Sequence, residues 1–339
     1  MRALVYEGPW QMPLRQIEPP APGPTDVVVA VQAVGVCGSD VHGFMGTTGR
    51  RKPPIVMGHE FSGVIRAVGE QVAGHRAGER VVVHPLQTCG SCPACRAGRP
   101  NICVNRKGLG ISMDGAYAES VRVPQQMLYA LPDAMSWEQG ALVEPLAVAM
   151  HAVNLTPIAL MDTLVIIGAG TIGLLALVCA RRRGAGTIIM TDRSPHRLAT
   201  AQRLGADVVV NIAEQDPLAL VQAHTGGLGA HAVIEAVGAT PAVKQSLAVV
   251  CNGGHVTWIG NSQPEVEINM QQIVTRELTV RGAYCFDEEF GRSIELIRRS
   301  DTFDITQLIE VVAPLDEGPQ LVHDLAKGSL EAVKVILKP

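Results

Sequence analysis

The most informative segment of this chain of 339 residues is Leu164-Val-Ile-Ile-Gly168-Ala-Gly170-Thr-Ile-Gly173. Apolar residues suited to a buried strand precede the glycines, and an apolar run suited to a helix follows them. The spacing G-x-G-x-x-G is weak evidence alone. Here Asp192 also closes the next apolar strand, 19 residues after Gly173. A strand, a glycine-rich turn, a helix and a later acidic residue together predict a dinucleotide-binding unit.

Each of these residues has a physical task in such a unit. Gly168 permits the tight turn, Gly170 lets a pyrophosphate approach the backbone, and Gly173 lets helix and strand pack closely. The carboxylate of Asp192 can accept hydrogen bonds from both ribose hydroxyls and would repel a 2'-phosphate, which favours NAD over NADP. Arg193 could instead bind a 2'-phosphate, although a solvated surface charge is the preferred interpretation of this residue. For the glycines, the alternative is a tight turn in an α/β fold that binds no nucleotide. The predicted coenzyme contacts are Gly168, Gly170, Thr171, Ile172, Gly173, Asp192, Arg193, Arg197, Val237, Gly238, Ile259 and Gly260.

The pattern on either side of this motif predicts two domains and the fold class α/β. Strands alternate with helical segments across residues 148–282, which is typical of a doubly wound parallel sheet of the Rossmann type. Residues 1–147 begin with short alternating strands, and residues 283–339 are expected to complete the same mostly β domain. We expect the site in the cleft between the domains. The strands predicted for the sheet are 164–167, 187–191, 207–210, 232–235, 255–259 and 278–281.

Composition and charge exclude several classes of partner. Lys plus Arg number 28 against 32 Asp plus Glu, a net charge of -4, which gives no electrostatic reason to expect nucleic acid or an anionic membrane. The uncharged run 163–180 resembles a membrane span, but its central glycines favour a strand and a helix buried in a sheet protein. No secretory signal is evident at the N-terminus, so we expect a cytoplasmic protein that binds a small molecule.

Four of the eight cysteines predict a structural metal site. Cys89, Cys92, Cys95 and Cys103 lie within 15 residues, among Gly and Pro turn residues. Four thiolates complete a tetrahedral zinc site and leave no open position for chemistry. An iron–sulfur cluster is the alternative, but a ferredoxin run has three residues before its last Cys and a Pro after it. This chain has seven residues there and a Val afterwards.

A second, dispersed set of residues predicts a catalytic zinc. Cys37 lies in Val-Cys-Gly-Ser-Asp-Val-His, His59 and Glu60 in Gly-His-Glu-Phe-Ser-Gly, and Glu144 in Leu-Val-Glu-Pro. A catalytic zinc takes about three protein ligands and keeps one exchangeable position. Taken singly, a Cys after a Val-rich strand is usually a core residue and a Glu is usually solvated. Only the set indicates a metal.

In this order, these motifs resemble those of the zinc-containing medium-chain alcohol dehydrogenases, over essentially the whole chain. The resemblance implies a GroES-like catalytic domain, a Rossmann coenzyme domain and two Zn²⁺ ions per chain, one catalytic and one structural. A glutamate at position 144, where classical alcohol dehydrogenases have a third Cys ligand, is similar to the polyol branch of the family. That branch includes sorbitol, threonine and galactitol-phosphate dehydrogenases. The family implies that Glu60 and Glu144 share the neighbourhood of the catalytic zinc, without ranking them as ligands, and that Lys334 is a basic partner of Glu60.

The resemblance also implies a reaction and a proton relay. A zinc-dependent oxidoreductase would transfer a hydride from a secondary alcohol of a polyol, a sugar alcohol or its phosphate to NAD and give a ketone. Ser39 and His42 resemble the family's proton relay, and Glu60 is expected to be a further catalytic residue. The structural alternatives are a turn hydroxyl for Ser39 and a surface imidazole for His42. We also expect a homodimer or homotetramer, which in the family often pairs near the sheet edge at 278–281.

Several departures leave the substrate open. Cys285 and Phe286 stand where sorbitol enzymes have Arg and Tyr, and residues 46–52 lack the Trp-rich segment of threonine dehydrogenases. A threonine or amino-alcohol dehydrogenase, a sugar-acid (aldonate) dehydrogenase and a catalytically silent NAD-binding protein are therefore the alternatives. The basic run Arg50-Arg51-Lys52 is interpreted as a solvated loop, or else as a binding site for a phosphate or carboxylate of the substrate.

Overall fold

A computed structural model describes residues 1–300 and 303–339. The chain forms two compact units, one of residues Met1–Glu144 with Asp287–Pro339 and one of residues Pro145–Phe286. The first unit is mostly β and the second is α/β, so the predicted fold class is confirmed. No helix of the described residues is long and apolar enough to cross a membrane.

The strands of the described residues are β1 (Arg2–Tyr6), β2 (Leu14–Gln16), β3 (Asp26–Gly35), β4 (Ile55–Val56), β5 (Glu60–Val68), β6 (Arg80–Val83), β7 (Leu86–Gln87), β8 (Lys107–Gly108), β9 (Ser120–Pro124), β10 (Leu128–Ala130), β11 (Thr163–Ile167), β12 (Thr187–Asp192), β13 (Val208–Asn211), β14 (Ala230–Glu235), β15 (Val250–Trp258), β16 (Thr279–Gly282), β17 (Ile309–Pro314) and β18 (Lys334–Lys338).

The α-helices are α1 (Gly38–Phe44), α2 (Pro93–Arg96), α3 (Trp137–Ala141), α4 (Val143–Leu155), α5 (Thr171–Arg183), α6 (Pro195–Arg203), α7 (Pro217–His224), α8 (Thr240–Val249), α9 (Met270–Val274), α10 (Glu289–Arg299) and α11 (Gly318–Lys327). Short 3₁₀ helices span Pro100–Ile102, Gln125–Met127, Ile305–Leu308 and Leu315–Glu317.

The second unit contains a parallel sheet of six strands in the order β13-β12-β11-β14-β15-β16. The chain moves outward from β11 to one edge and then returns to β14, which is the strand order of a doubly wound sheet. Every residue of β11 is buried. The uncharged run 163–180 is therefore a central strand followed by α5, as predicted, because a parallel sheet covered on both faces needs apolar strands.

The strands of the parallel sheet differ from the predicted ones by one or two residues at their ends, except the fifth, which differs by more. The strand predicted at 255–259 begins at Val250, and the residue after its end, Ile259, donates its backbone N–H to the carbonyl of Glu235 at 2.9 Å. The strand includes Gly253 at φ +72°, a conformation that interrupts an ordinary strand pattern.

The first unit is built on a mostly antiparallel sheet in the order β10-β6-β5-β3-β18-β17, with β9 also pairing with β3 and with β17 parallel to β18. Its core includes the buried side chains of Leu4, Phe61 and Tyr117. At the end of β3, Gly35 is paired with Glu60 of β5 on one side and with Ile336 of β18 on the other. The sheet therefore brings the segment after β3, the start of β5 and the start of β18 to one place.

Candidate metal centre and coenzyme site

Three of the predicted zinc ligands converge where β3, β5 and β18 meet. Cys37 caps the N-terminus of α1, with its sulfur accepting the backbone N–H of Ser39 at 3.4 Å. His59 immediately precedes β5 and Glu60 is its first residue. One ligand atom from each of Cys37, His59 and Glu60 lies within 4.8 Å of the others. A thiol, an imidazole and a carboxylate at this separation fit the mixed ligands that a catalytic zinc prefers.

Lys334 contacts the carboxylate of Glu60. Its Nζ donates to Glu60 Oε2 at 2.7 Å and to the carbonyl of Val36 at 3.2 Å, and both charged side chains are buried. Burial opposes the charged form of Lys334, but the attraction of Glu60 outweighs it and raises the pKa of the ammonium. A Cβ at Gly35 would lie 2.3 Å from Glu60 Oε2. The predicted partnership of Glu60 with Lys334 is confirmed, and a side chain at position 35 would displace the carboxylate from its present position.

Glu144 is buried near this group but is not one of its three members among the described residues. It lies in the first turn of α4. Burial raises the pKa of Glu144 to about 8, an effect that His59 opposes and Glu60 reinforces. A buried carboxyl of this kind favours its neutral form unless a cation lies beside it. The structure thus gathers Glu60 with Cys37 and His59, and leaves Glu144 as an adjacent carboxyl.

Asp40 links the metal group to residues that the sequence analysis did not single out. Its Oδ2 accepts the Tyr117 hydroxyl at 2.8 Å, and its Oδ1 accepts Arg51 Nη2 at 2.6 Å and lies 3.4 Å from His59 Nδ1. Burial alone would raise the pKa of Asp40, but the charges of His59 and Arg51 hold it well below its usual range. With Nδ1 facing Asp40, the Nε2 of His59 is left for a metal.

Both interpretations of the basic run are wrong for Arg51. Its side chain is only 2% exposed, so it belongs neither to a solvated loop nor to a surface that receives a substrate phosphate. Arg50 and Lys52 are exposed and line a cavity of about 800 Å³ whose other lining residues include none of the metal group. No local pattern distinguishes the buried cation from its neighbours, because its partners are distant in sequence.

The two relay candidates lie on α1. Ser39 is exposed in the first turn, and its hydroxyl oxygen is 3.4 Å from Arg51 Nη2. His42 is half-buried in the last turn, and burial lowers the pKa of its imidazole. A lowered pKa leaves the ring neutral near pH 7, so that it can accept a proton.

The four predicted structural ligands form a second compact group. All four sulfurs lie within 4.8 Å of one another, and Cys92 with Cys95 and Cys89 with Cys103 are each separated by 3.5 Å between sulfurs. A tetrahedral zinc with bonds of about 2.3 Å places its sulfurs about 3.8 Å apart. Backbone amides lower the pKa of Cys89 to about 5, whereas burial raises that of Cys95 to about 12. The spacing fits a closed zinc site.

The glycine-rich turn has the tight geometry predicted for it. Gly168 has φ +97°, and a Cβ at Gly173 would lie 1.8 Å from the Gly168 carbonyl oxygen. Gly170 caps α5 without a side-chain hydrogen bond, and a Cβ there would meet nothing within 4 Å. Thr171 and Ile172 form the first turn of α5. Open space above a helix N-terminus suits a phosphate.

Asp192 is held in place by the backbone around it. Its Oδ2 accepts the N–H of Ala169 at 2.7 Å and its Oδ1 accepts the N–H of Ser194 at 2.9 Å. Each carboxylate oxygen keeps a further lone pair for a ribose hydroxyl. Arg193 is exposed, and Nε of Arg197 is buried without a hydrogen-bond partner among the described residues. The carboxylate is therefore fixed beside the glycine-rich turn.

The remaining predicted coenzyme residues follow the ends of β14 and β15. A Cβ at Gly238 would lie 2.1 Å from the backbone nitrogen of Asn261, and one at Gly260 would lie 2.1 Å from the nitrogen of Gly238. Val237 is 39% exposed and Ile259 is half-buried. The sequence analysis missed Glu235, whose buried Oε1 accepts the N–H groups of Val237 and Gly238 at 2.8 and 2.7 Å. Burial raises its pKa.

Comparisons with known proteins agree with these sites. A family model of the alcohol dehydrogenase GroES-like domain matches residues 23–133, and a zinc-binding dehydrogenase model matches residues 171–299. Sorbitol dehydrogenase of Bacillus subtilis is 33% identical over 100% of this chain and 97% of its own length. L-Threonine 3-dehydrogenase of Saccharopolyspora erythraea is 36% identical over 84% of each chain.

A solved structure extends the comparison. A zinc-binding dehydrogenase of Sinorhizobium meliloti bound to NADP has a TM-score of 0.90 and 34% identity, over 100% of this chain and 99% of its own. Identity above 30% over the full length, together with the two family models, decides the family. The prediction of an enzyme that uses zinc and a nicotinamide dinucleotide and acts on a small-molecule alcohol is confirmed at that level. The chain belongs to the zinc-containing medium-chain alcohol dehydrogenases, in their polyol dehydrogenase branch.

Proposed function

We propose that this enzyme oxidises a secondary alcohol of a small polyol, or of its phosphate, to a ketone with NAD as the hydride acceptor. The observation that carries the proposal is the convergence of Cys37, His59 and Glu60 within 4.8 Å, with Ser39 in the first turn of the helix that Cys37 caps. In this proposal residues 1–147 and 283–339 form the catalytic domain, and residues 148–282 form the coenzyme domain.

Cys37 and His59 would hold the catalytic zinc together with one of the two carboxylates, Glu60 or Glu144. Zinc supplies a Lewis acid that lowers the pKa of an oxygen ligand into the neutral range. Lys334 contacts Glu60 at 2.7 Å, and Glu144 is buried beside them. Burial raises the pKa of Glu144 to about 8, so this carboxyl can ionise when a cation lies beside it.

Ser39 and His42 would remove the proton that the alcohol loses. Ser39 has a hydroxyl that can accept and donate in turn, and it is exposed two residues after Cys37. His42 is one helical turn further along α1, and burial lowers its pKa. A neutral imidazole near pH 7 is a suitable terminal base for such a relay.

NAD is favoured over NADP by the carboxylate of Asp192. Its position is fixed by two backbone N–H groups, so it cannot turn away from a bound ribose without losing both hydrogen bonds. A 2'-phosphate would meet this negative charge at close range. The NADP bound to the Sinorhizobium meliloti relative makes the choice an experimental question, with Arg193 as the residue that would favour NADP.

A homodimer or homotetramer in the cytoplasm is part of the proposal. β16 forms one edge of the six-stranded sheet, and an unpaired strand edge can pair with a second copy. Exposed apolar side chains precede this strand in the same unit, namely Val266, Ile268, Met270 and Val274. The thiols of the metal groups are free cysteines, which suits a reducing compartment.

A screen of NAD reduction tests the substrate. The zinc-loaded protein is assayed with polyols, polyol phosphates, aldonates and threonine, with NAD and NADP in parallel. We expect the highest kcat/KM with a polyol or its phosphate. A preference for threonine or an aldonate would contradict the proposed substrate class and leave the proposed hydride transfer to NAD unchanged.

Metal removal tests the catalytic site in the same protein. Partial dialysis against a chelator is followed by counting the zinc ions retained per chain. We expect activity to disappear with the first ion lost while the thiol-rich site stays filled, because four thiolates hold zinc more firmly than a mixed site. Undiminished turnover with one zinc per chain, located at the four cysteines, would refute the proposed function.

A further inference from the structure

We propose that Arg51 is a positioning residue of the active site, which fixes Ser39 and Asp40 relative to each other and acts through Asp40 on His59. The inference rests on the proposed function, since it takes Ser39 as a relay group and His59 as a zinc ligand. It concerns a residue that is not among the predicted zinc ligands, coenzyme contacts or relay residues.

The guanidinium of Arg51 makes four polar contacts with three residues. Nε donates to the carbonyl of Gly110 at 2.9 Å, Nη1 to the carbonyl of Ser39 at 2.8 Å, and Nη2 to Asp40 Oδ1 at 2.6 Å and Ser39 Oγ at 3.4 Å. Every nitrogen of the side chain is therefore used, in a setting where Arg51 and Asp40 are almost completely buried. Such a buried network holds its members in one arrangement.

Asp40 transmits this arrangement to the metal group. Its Oδ1 lies between Arg51 Nη2 and His59 Nδ1, at 2.6 and 3.4 Å. A carboxylate that faces the second nitrogen of a ligating histidine fixes the orientation and tautomer of the ring. Because Arg51 anchors the carboxylate, removing Arg51 would leave Asp40 buried with one fewer partner and free His59 to turn.

The same guanidinium acts on Ser39. Donation from Arg51 occupies one lone pair of the Ser39 hydroxyl oxygen, so the hydroxyl proton must point elsewhere. The second contact, to the carbonyl of Ser39, fixes the first turn of α1 that carries the hydroxyl. Arg51 thus influences both the orientation of the relay group and that of a metal ligand.

Gly43 leaves the space that the arginine occupies. A Cβ at this position would lie 2.5 Å from Arg51 Nη1 and 2.8 Å from its Cδ, although the backbone there is an ordinary helix. A glycine makes a helix less stable than an alanine does at the same position. The helix therefore accepts a less stable residue on the face that meets the guanidinium.

Lysine cannot replace Arg51 at this position. A planar guanidinium carries five N–H groups in a fixed fork, whereas an ammonium is a point charge with three donors on a flexible stem. A lysine can neutralise Asp40, but it cannot also reach the carbonyls of Ser39 and Gly110 along separate directions. Comparing the two cations separates charge from geometry.

The test compares the Arg51→Lys and Arg51→Met variants with wild type, and Arg76→Met, an exposed arginine of the same unit, is the matched control. We expect Arg51→Met to lower kcat per bound catalytic zinc at least tenfold while KM for NAD changes less than twofold. Arg51→Lys should fall between Arg51→Met and wild type. Arg76→Met should match wild type in both constants.

A double-mutant cycle with Asp40→Asn tests the route of action. Removing either charge alone leaves the other buried without its partner, whereas Arg51→Met with Asp40→Asn removes both. We expect the double variant to lose much less kcat than the product of the two single effects. Independent, multiplicative effects would show that Arg51 does not act through Asp40.

Cobalt in place of the catalytic zinc gives a readout that does not need turnover. A change in the visible d–d absorption of the Arg51→Met protein, absent from Arg76→Met, is expected if the geometry at His59 depends on Arg51. If Arg51→Met does not fold, Arg51→Lys carries the same spectral and kinetic comparison. Wild-type kcat per catalytic zinc in Arg51→Lys, or an unchanged cobalt spectrum, would overturn the inference.

Failure of the proposed function would look different. In that case the wild-type protein reduces neither coenzyme with any alcohol in the screen, and no kinetic comparison between variants exists. The cobalt spectra would still report whether Arg51 controls the metal environment.

Discussion

Burial lowers the pKa of His42, and no charged partner among the described residues opposes this effect. The neutral imidazole should therefore persist to a lower pH than in an exposed histidine, whose pKa is about 6.5. In a relay that ends at His42, activity should be lost at the acid end as this ring is protonated. The midpoint of that loss should lie below pH 6.5.

His42→Ala should lower kcat about tenfold or more near neutral pH, with partial recovery at high pH, where hydroxide can replace the lost base. The measurement is the pH profile of kcat for the variant and wild type. His75→Ala, a histidine that pairs with Glu79 at 3.1 Å elsewhere in the same unit, serves as the control. A His42→Ala profile that is parallel to wild type at every pH would remove His42 from the relay.

At the scale of single residues, sequence reasoning reached the groups that have a local pattern. Cys37 and His59 stand in short motifs, and the four cysteines have the spacing of a closed zinc site. Asp40 and Arg51 have no such pattern, because their roles depend on contacts that only the folded chain creates. Glu235 was missed for a different reason: it reads as the last residue of a strand, and its carboxylate bonds to the backbone two and three residues later.

At the scale of elements, the carboxylate of Asp192 at the end of β12 also accepts a backbone N–H from the turn after β11. We therefore assign the choice of coenzyme to these two elements together. Asp192→Asn keeps a side chain of the same size, with one oxygen acceptor, but removes the negative charge. We expect KM for NAD to rise and kcat/KM for NADP to improve, shifting the NAD to NADP preference at least tenfold, or about 1.4 kcal/mol. Steady-state kinetics with both coenzymes measure the shift.

The control for this change is Arg193→Gln, which alters the neighbouring exposed residue and leaves the carboxylate in place. It should lower any residual activity with NADP and leave KM for NAD within about twofold of wild type, because an exposed charge contributes little. An Asp192→Asn enzyme with the wild-type preference would show that this carboxylate does not select the coenzyme.

The element order of the second unit was predictable, while some element ends were not. Apolar runs separated by turn residues predict all six strands of the parallel sheet, because strands buried on both faces need little else. The early start of β15 at Val250 was missed because two glycines, Gly253 and Gly254, interrupt the pattern before His255. The ends of strands that contain polar residues or glycine are hard to predict from sequence. Pairing with neighbouring strands, rather than the pattern of side chains, determines where such a strand begins or ends.

On the scale of the molecule, His84 should make the first unit sensitive to acid. It packs against Phe290, with ring centroids 5.3 Å apart, and its Nδ1 accepts the backbone N–H of Leu86 at 3.2 Å. Burial lowers its pKa from 6.5 to about 4. The unfolded chain therefore binds a proton more readily than the folded one. This contribution to stability is complete above pH 6.5 and is lost as the pH falls towards 4.

The free energy of unfolding should fall by at most about 3 kcal/mol from this group between pH 6.5 and 4. His84→Phe keeps an aromatic ring beside Phe290 and cannot be protonated, so its unfolding free energy should depend less steeply on pH in this range, although it loses the acceptor for Leu86. Urea unfolding at a series of pH values gives the comparison. Equal slopes for the variant and wild type would contradict the assigned role of burial.

Lys334 is the sixth residue from the carboxyl end of the chain, yet it neutralises a carboxylate at position 60. During synthesis the ribosome therefore releases the cysteine, the histidine and the glutamate of the metal group long before their counter-charge exists. Until residue 334 has been synthesised, the metal group therefore lacks its counter-charge. A truncation that removes Lys334 would spare every motif by which this enzyme can be recognised and still leave Glu60 without its cation.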